Sequence, residues 1–409
     1  MASRGAVLYM TTPFKEGWSS HGGHHRYQQL KELILDAGLP LAGEVAAPQR
    51  RELSPASTLQ TLLSGLSHLP SARPGRLPTP AGLFRIGAAA HAIRGLKPSD
   101  LFLWAPSYGA HAMLGRLARG NGVRVVALIH NIESLVPDQP CPIRPSLRDW
   151  HDLELAWLED ADVIFCHSRW DQWYLRLRGL DARPLPYFPA RPRYESLLGF
   201  RQRRRIEQRR ERIVVLGNAH NPPTWRGMLE QLEIIRRHDD LLKDVEFHFC
   251  GARTEDLRPH AVTPNVQVHG YVDETVLSDQ LAQAKAVWFH QPATTGVVTR
   301  IVDMLTAGVP VLANAFAARA QETLSGVHSY DLDDAVPGLI RSDLPVPDLP
   351  ERPDHFSRDF VETVAELLSG TFDSGRIGSR AGAAATSRGR NRSPRGPAAR
   401  AGPRQGPRS

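Results

Sequence analysis

Residues 292–312, Pro-Ala-Thr-Thr-Gly-Val-Val-Thr-Arg-Ile-Val-Asp-Met-Leu-Thr-Ala-Gly-Val-Pro-Val-Leu, concentrate groups suited to chemistry. An apolar run ends, a polar Thr294-Thr295-Gly296 turn follows, a helical stretch runs to Gly308, and Pro310-Val311-Leu312 opens a strand. Read as a helix N-terminus, the backbone N–H groups of Thr295–Val297 suit a diphosphate, while Asp303 offers an acceptor to ribose hydroxyls. An ordinary strand-turn-helix unit, with Gly296 and Gly308 as plain turn residues, meets the same spacing.

Two further clusters stand in the first half of the chain. The segment Trp18-Ser-Ser-His-Gly-Gly-His-His25 places Gly22 and Gly23 where backbone can come close to a ligand, or where the surface simply turns. His21, His24 and His25 lack a matching carboxylate or second ligand motif, so no metal site is expected. His130 ends the apolar run 123–129 at the carboxyl edge where open α/β sheets place ligands, with Glu133 able to orient it or an acceptor hydroxyl. A satisfied loop histidine is the other reading. Ser168 reads first as a helix N-cap.

Positioning these groups requires a scaffold, and the hydrophobic pattern supplies two similar α/β halves. Strands are expected at 6–10, 101–104, 123–129 and 162–166, with helices at about 24–37, 109–119, 146–160 and 169–179. The rhythm restarts with strands at 213–216, 245–250, 266–268, 286–290 and 310–313 and helices at about 224–238, 274–284, 297–307 and 357–369. Prolines break up 70–82, and no regular structure is expected there. The division is a first domain over 1–185, a linker over 186–212, a second domain over 213–370 and a tail over 371–409. The run RQRRRIEQRRER at 201–212 reads as a solvated linker helix, or as a polyanion or membrane-surface patch.

In this order the motifs resemble the retaining, nucleotide-sugar-dependent glycosyltransferases of the two-domain GT-B fold, family-four type. Asp303 falls on the second glutamate of that family's donor signature, Thr295 where the first would be, and Ala307-Gly308-Val309-Pro310-Val311 on its small-Gly-x-Pro-Val end. Thr295-Gly296-Val-Val-Thr-Arg300-Ile-Val-Asp303 is similar to the variant Thr-Gly-x-(Lys/Arg)-Thr-Lys-x-x-Glu, with Val298 replacing a basic residue. The resemblance implies two Rossmann-like domains facing across a cleft, with a disordered basic tail. It further implies that Arg226, Arg300 and the Gly296 turn hold phosphates, Asp303 the ribose, and that His130 faces the sugar. Gly217, Gly270 and Tyr271 would line the nucleotide, and Gly22 and Gly23 the diphosphate and acceptor side. The implied donor is a nucleoside-diphosphate sugar, with no further cofactor or metal, and the implied acceptor a glycan or lipid-linked glycan hydroxyl. Thr295, Val298 and the shortened Asp303 leave open a GT-B-shaped binding or scaffolding subunit.

Composition narrows the classes. Among 409 residues the net charge is +7, but residues 371–409 hold nine arginines against Asp373, so the first 370 residues sum to −1. That balance gives the folded part no basic excess for nucleic acid. Three scattered cysteines fit a reducing cytoplasm. No apolar run approaches the roughly 18 residues of a membrane span, leaving basic surface as the route to peripheral contact with an anionic membrane. Phosphate-loop, nucleophile-elbow, zinc-protease and dinucleotide-fingerprint spacings are all absent.

Overall fold

Leu101–Trp104 and Val163–Cys166 are buried along their whole length, as central strands of a parallel sheet covered on both faces must be. The computed structural model describes residues 6–12, 22–48, 50–72, 77–107, 109–145, 148–207 and 211–372. β1 (Leu8–Thr11), β2 (Leu41–Val45), β3 (Leu101–Trp104), β4 (Arg124–Ile129), β5 (Val163–Cys166) and β6 (Ala182–Pro184) form one parallel sheet in the order β2-β1-β3-β4-β5-β6. β7 (Arg212–Leu216), β8 (Glu246–Cys250), β9 (Val266–Gly270), β10 (Ala286–Phe289), β11 (Val311–Asn314) and β12 (Val327–Tyr330) form a second in the order β12-β11-β10-β7-β8-β9. Two Rossmann-like units result. Each reverses its strand order at one crevice, between β1 and β3 in the first and between β7 and β10 in the second, where such sheets bind ligands.

Side chains alternate across each sheet. In the first, Phe102, Trp104, Val125, Ala127 and Ile129 face one core, while Leu101, Leu103, Val126 and Leu128 face another. That second core is closed by helix Gly22–Asp36 through Leu30 and Ile34, and by helix Asp354–Ser369 through Phe360, Val364 and Leu367.

This last contact corrects the expected boundary at 370. The apolar stripe of the C-terminal helix belongs to the first sheet's core, so the chain crosses back after completing the second. The expected solvated linker is also corrected. It is helix Arg191–Ile206, with Leu197 inside a core of the second sheet. Arg204 is 3% exposed and donates to the carbonyls of Gly308 (2.8 Å) and Leu281 (2.8 Å). Arg201 reaches Leu305 (2.9 Å) and Thr306 (3.3 Å) at the end of helix Arg300–Thr306. These guanidiniums satisfy carbonyls that helix ends leave without partners, which places them against protein instead of in water.

Smaller differences follow from local patterning. Helix Pro55–Ser67, edge strands β2, β6 and β12, and helix Pro80–Ile93 were outside the expected set; the last starts inside the proline-broken region, with Pro80 at its first turn. The helix expected at 297–307 begins at Arg300, so Thr295–Val297 form a loop and not its first turn. His21 and residues 373–409 of the tail expected over 371–409 lie outside the described residues.

Candidate active site

The segment between β10 and Arg300 lies at the second sheet's carboxyl edge. Its base is fixed by Asn314 at the end of β11: the Asn314 side chain donates to the Gln291 carbonyl (2.7 Å) and accepts from the Gln291 N–H (3.1 Å). From there the Thr-Thr-Gly turn runs onto the first half of the molecule. The Thr295 hydroxyl donates to the Ile132 carbonyl (3.0 Å) and accepts from the Ile132 N–H (3.1 Å). The Gly296 N–H donates to Asp171 Oδ2 (3.1 Å), and Arg319 donates to the carbonyls of Thr294 and Gly296.

Gly296 is required there on two counts. Its φ is +81°, and a Cβ would stand 1.8 Å from Asn131 Oδ1 and 2.8 Å from the His130 carbonyl. Gly22 makes the matching approach from the first half, where a Cβ would come within 2.6 Å of Thr299 Oγ1. The two carboxyl edges therefore meet at backbone distance, with Gly22, His130, Thr295 and Gly296 brought together. Gly23 follows Gly22 in the first turn of helix Gly22–Asp36.

Arg300 sits beneath this junction. Its Nη1 donates to the Leu216 carbonyl at the end of β7 (2.6 Å), its guanidinium lies 5.4 Å from the Phe289 ring at the end of β10, and Gly217 leaves its Nη1 in reach. It thus occupies the crevice between β7 and β10. Burial lowers its pKa to about 10, opposed by Asp303, so it stays protonated at neutral pH. Arg26, 1% exposed, is lowered to about 9 by burial; it donates to Gln29 and to the Leu185 carbonyl (2.8 Å), while its Nε has no hydrogen-bond partner among the described residues.

Asp303 is 1% exposed and does not project into open space. Its Oδ1 accepts from the Tyr187 hydroxyl (2.8 Å) and its Oδ2 from Arg193 Nε (3.2 Å). Both partners come from the segment that joins the halves. Arg226 pairs with Asp138 across to the first half at 2.5 Å, and its side chain remains about half exposed. Gly270 ends β9 and Tyr271 beside it is 67% exposed.

Around His130 the groups are polar and mostly uncharged. Its ring lies 5.3 Å from that of His167, whose pKa burial pushes well below the usual imidazole value, with Arg26 and His130 adding to the effect. His25 stands apart from these, toward Asp303, Arg193 and Arg300; burial lowers it first, against a partial pull from Asp303. Glu133 turns inward, accepting from Asn131 (3.3 Å) and Gln139 (3.0 Å). Burial first, and the carboxylate of Glu154 second, raise it to about 8, so it holds a proton at neutral pH.

Sequence reasoning overlooked Asp171, Arg319, Asn314 and Arg26. Asp171 stands in the first turn of helix Arg169–Leu177, capped as expected by Ser168, where an acid reads as a dipole partner; nothing local signals that it reaches Gly296, 125 residues on.

No family model matches the sequence, and no curated protein matches it. Solved structures do match the fold. A UDP-forming α,α-trehalose-phosphate synthase from Burkholderia xenovorans is similar over 90% of this chain and 99% of its own, at 12% identity and a TM-score of 0.57. One from Burkholderia vietnamiensis covers 94% and 100% at 12% identity and a TM-score of 0.55. The E. coli trehalose-6-phosphate structure bound with UDP-2-fluoro glucose covers 92% and 98%, at 12% identity and a TM-score of 0.52. The shared feature is the GT-B arrangement of two α/β units.

Proposed function

We propose that this chain is a retaining glycosyltransferase that moves a sugar from a nucleoside-diphosphate sugar to an acceptor hydroxyl without a metal. One observation carries the reading. The loop at the second sheet's carboxyl edge rests on His130–Ile132 and Gly22 of the first, beside a partly buried arginine in the strand-order crevice. A diphosphate beside Gly217, Gly296 and Arg300 meets a guanidinium that keeps its charge, and negative charge growing on the departing oxygen is stabilised there. His130 and His167 offer hydrogen-bonding groups to the sugar from the opposite edge. The Thr295–Ile132 contact shuts the halves together, which excludes water and favours transfer over hydrolysis.

Uridine diphosphate glucose is the first donor to assay, because the matched synthases are UDP-forming and one is bound with a UDP-sugar analogue. Sugar phosphates, glycans and lipid-linked glycans are the acceptor classes. The test measures nucleoside diphosphate released from uridine, guanosine and adenosine diphosphate sugars, with and without acceptor and chelator, and the anomeric configuration of the product. Acceptor-dependent, chelator-insensitive release with retention is expected. An inverted product, loss of release with chelator, or no release from any donor contradicts the proposal.

A GT-B-shaped binding subunit is the second reading. Asp303 favours it, since both of its oxygens are engaged by Tyr187 and Arg193 and it is closed to solvent. That reading expects nucleotide-sugar binding without turnover, or no binding.

A further inference from the structure

Helix Arg169–Leu177 has a sharply divided surface. Asp171 and Leu175 are buried, whereas Trp170 is 56%, Trp173 59% and Leu177 65% exposed. At 100° per residue, Arg176, Arg169, Trp173, Leu177 and Trp170 fall in that order on one outward arc of roughly 120°. The acid of this helix, Asp171, is turned inward to Gly296, so the exposed arc is apolar and cationic. Arg178, one residue beyond the helix, lies 5.5 Å from the Tyr174 ring and adds a cation on the other flank.

We infer that this face docks on an anionic lipid surface. Two indoles and a leucine held more than half out of the protein gain from entering the boundary between headgroups and acyl chains. Tryptophan prefers that depth, because its ring is apolar and its N–H can stay wet. The flanking guanidiniums then sit at the level of lipid phosphates, each contributing attraction. A second copy of the chain is the poorer occupant, since pairing two such faces brings the guanidiniums of both copies into one interface while neither arc offers a carboxylate to them. The face is also distinct from the leucine stripe Leu59, Leu63 and Leu66 on helix Pro55–Ser67, which is exposed but carries no charge in its helix. No helix among the described residues is long and apolar enough to cross a membrane, so contact of this kind is superficial. The inference stands apart from the proposed reaction. Its consequence for that reaction is that the docking helix, through Asp171, also buttresses the Gly296 loop, so an amphiphilic acceptor hydroxyl at the bilayer surface arrives beside the cleft.

The test is vesicle flotation of the full chain, using phosphatidylcholine with phosphatidylglycerol against phosphatidylcholine alone. Binding to the anionic vesicles is expected. Trp170→Ser with Trp173→Ser is expected to weaken it about ten-fold, and Arg169→Gln with Arg176→Gln by about the same factor. Leu59→Ser with Leu63→Ser is expected to leave it unchanged. All variants retain the arginine-rich tail, so equal binding by wild type and both helix variants assigns attachment to the tail and overturns the inference. No binding by wild type overturns it too. Loss of self-association in the tryptophan variant, with vesicle binding intact, identifies a second copy as the occupant and overturns it equally. Should the tryptophan variant fold poorly, the arginine variant alone decides.

Discussion

Where strands of the first sheet end, the chain places imidazoles: His130 after β4 and His167 after β5, while His25, on the helix that follows β1, is set toward Asp303 and Arg300. Where three strands of the second end, it places glycines, with Gly217 after β7, Gly251 after β8 and Gly270 closing β9; His290 follows β10 but is taken up by Glu230 and the Tyr330 hydroxyl. Arg300 lies beneath the second edge. Burial acts on both edges with different outcomes. It drives His25 and His167 toward the neutral form, whereas Arg300, lowered only to about 10, remains a cation. One edge therefore offers uncharged hydrogen-bonding groups, and the other offers close backbone and fixed positive charge. That division matches a sugar on one side and a diphosphate on the other, and Thr295–Gly296 is where the two edges lock.

Breaking the lock is expected to have the largest effect. In Gly296→Ala the new methyl meets Asn131 Oδ1 across the junction, and the loop must lift from the first half. Turnover is expected to fall about 100-fold or more, as for an ångström-scale misplacement, while each half keeps its own fold by circular dichroism. Unchanged turnover in steady-state assays removes the lock from the account.

Asp303→Ala asks whether the second edge's carboxylate serves ligand or fold. Removing it strands the buried Tyr187 hydroxyl and leaves Arg193 with only its longer pair to Glu274 (3.7 Å), and a loss of about 2–4 kcal/mol in denaturant unfolding without ligand is expected. A variant as stable as wild type, with only donor affinity lost, returns Asp303 to the ribose role that its motif position implies.

Both halves were legible where signals were local. Ser168 was readable as an N-cap, and the apolar runs of β3, β4, β5, β7, β8 and β10 announced central parallel strands. Three of the four edge strands, β2, β6 and β12, were not readable. Leu41–Val45 is only half buried and includes Gly43 and Glu44, so it carries neither a continuous apolar run nor a strong β preference. The arginine run misled for a different reason: charge patterning reveals no partner, and carbonyls at the ends of helices distant in sequence claimed Arg201 and Arg204. Thr295, Gly296 and Arg300 were legible as one segment, which lies at the second sheet's carboxyl edge, while Asp171 and Arg319 act over separations no local pattern encodes.

Asp171→Asn sharpens the comparison with a smaller effect. Burial raises the Asp171 carboxyl to about 6, against the opposing influence of Arg319 and the Gly296 N–H. It is ionised at pH 7 and protonated below 6, so turnover per unit donor is expected to fall as pH drops through about 6. The asparagine variant is expected to be about ten-fold slower at pH 7 and to lack that acid limb. Stability moves the other way. A folded pKa above the unfolded 3.8 means that ionisation costs stability above pH 6, and the cost disappears as the carboxyl protonates between 6 and 4. Loss of activity over that range accompanied by unfolding of wild type alone contradicts the assignment.

The central claim is that the crevice between β7 and β10 holds the diphosphate of a nucleotide sugar through Arg300. Calorimetric titration of uridine diphosphate glucose and its guanosine and adenosine counterparts into wild type and Arg300→Met tests it most directly, with unfolding temperatures recorded in parallel. The account predicts saturable binding of one nucleotide series by wild type, weakened at least ten-fold in Arg300→Met, consistent with about 1.5–3 kcal/mol for a hydrogen bond to a charged group. Binding of equal strength in a folded Arg300→Met variant, or no binding of any nucleotide sugar by wild type, contradicts it.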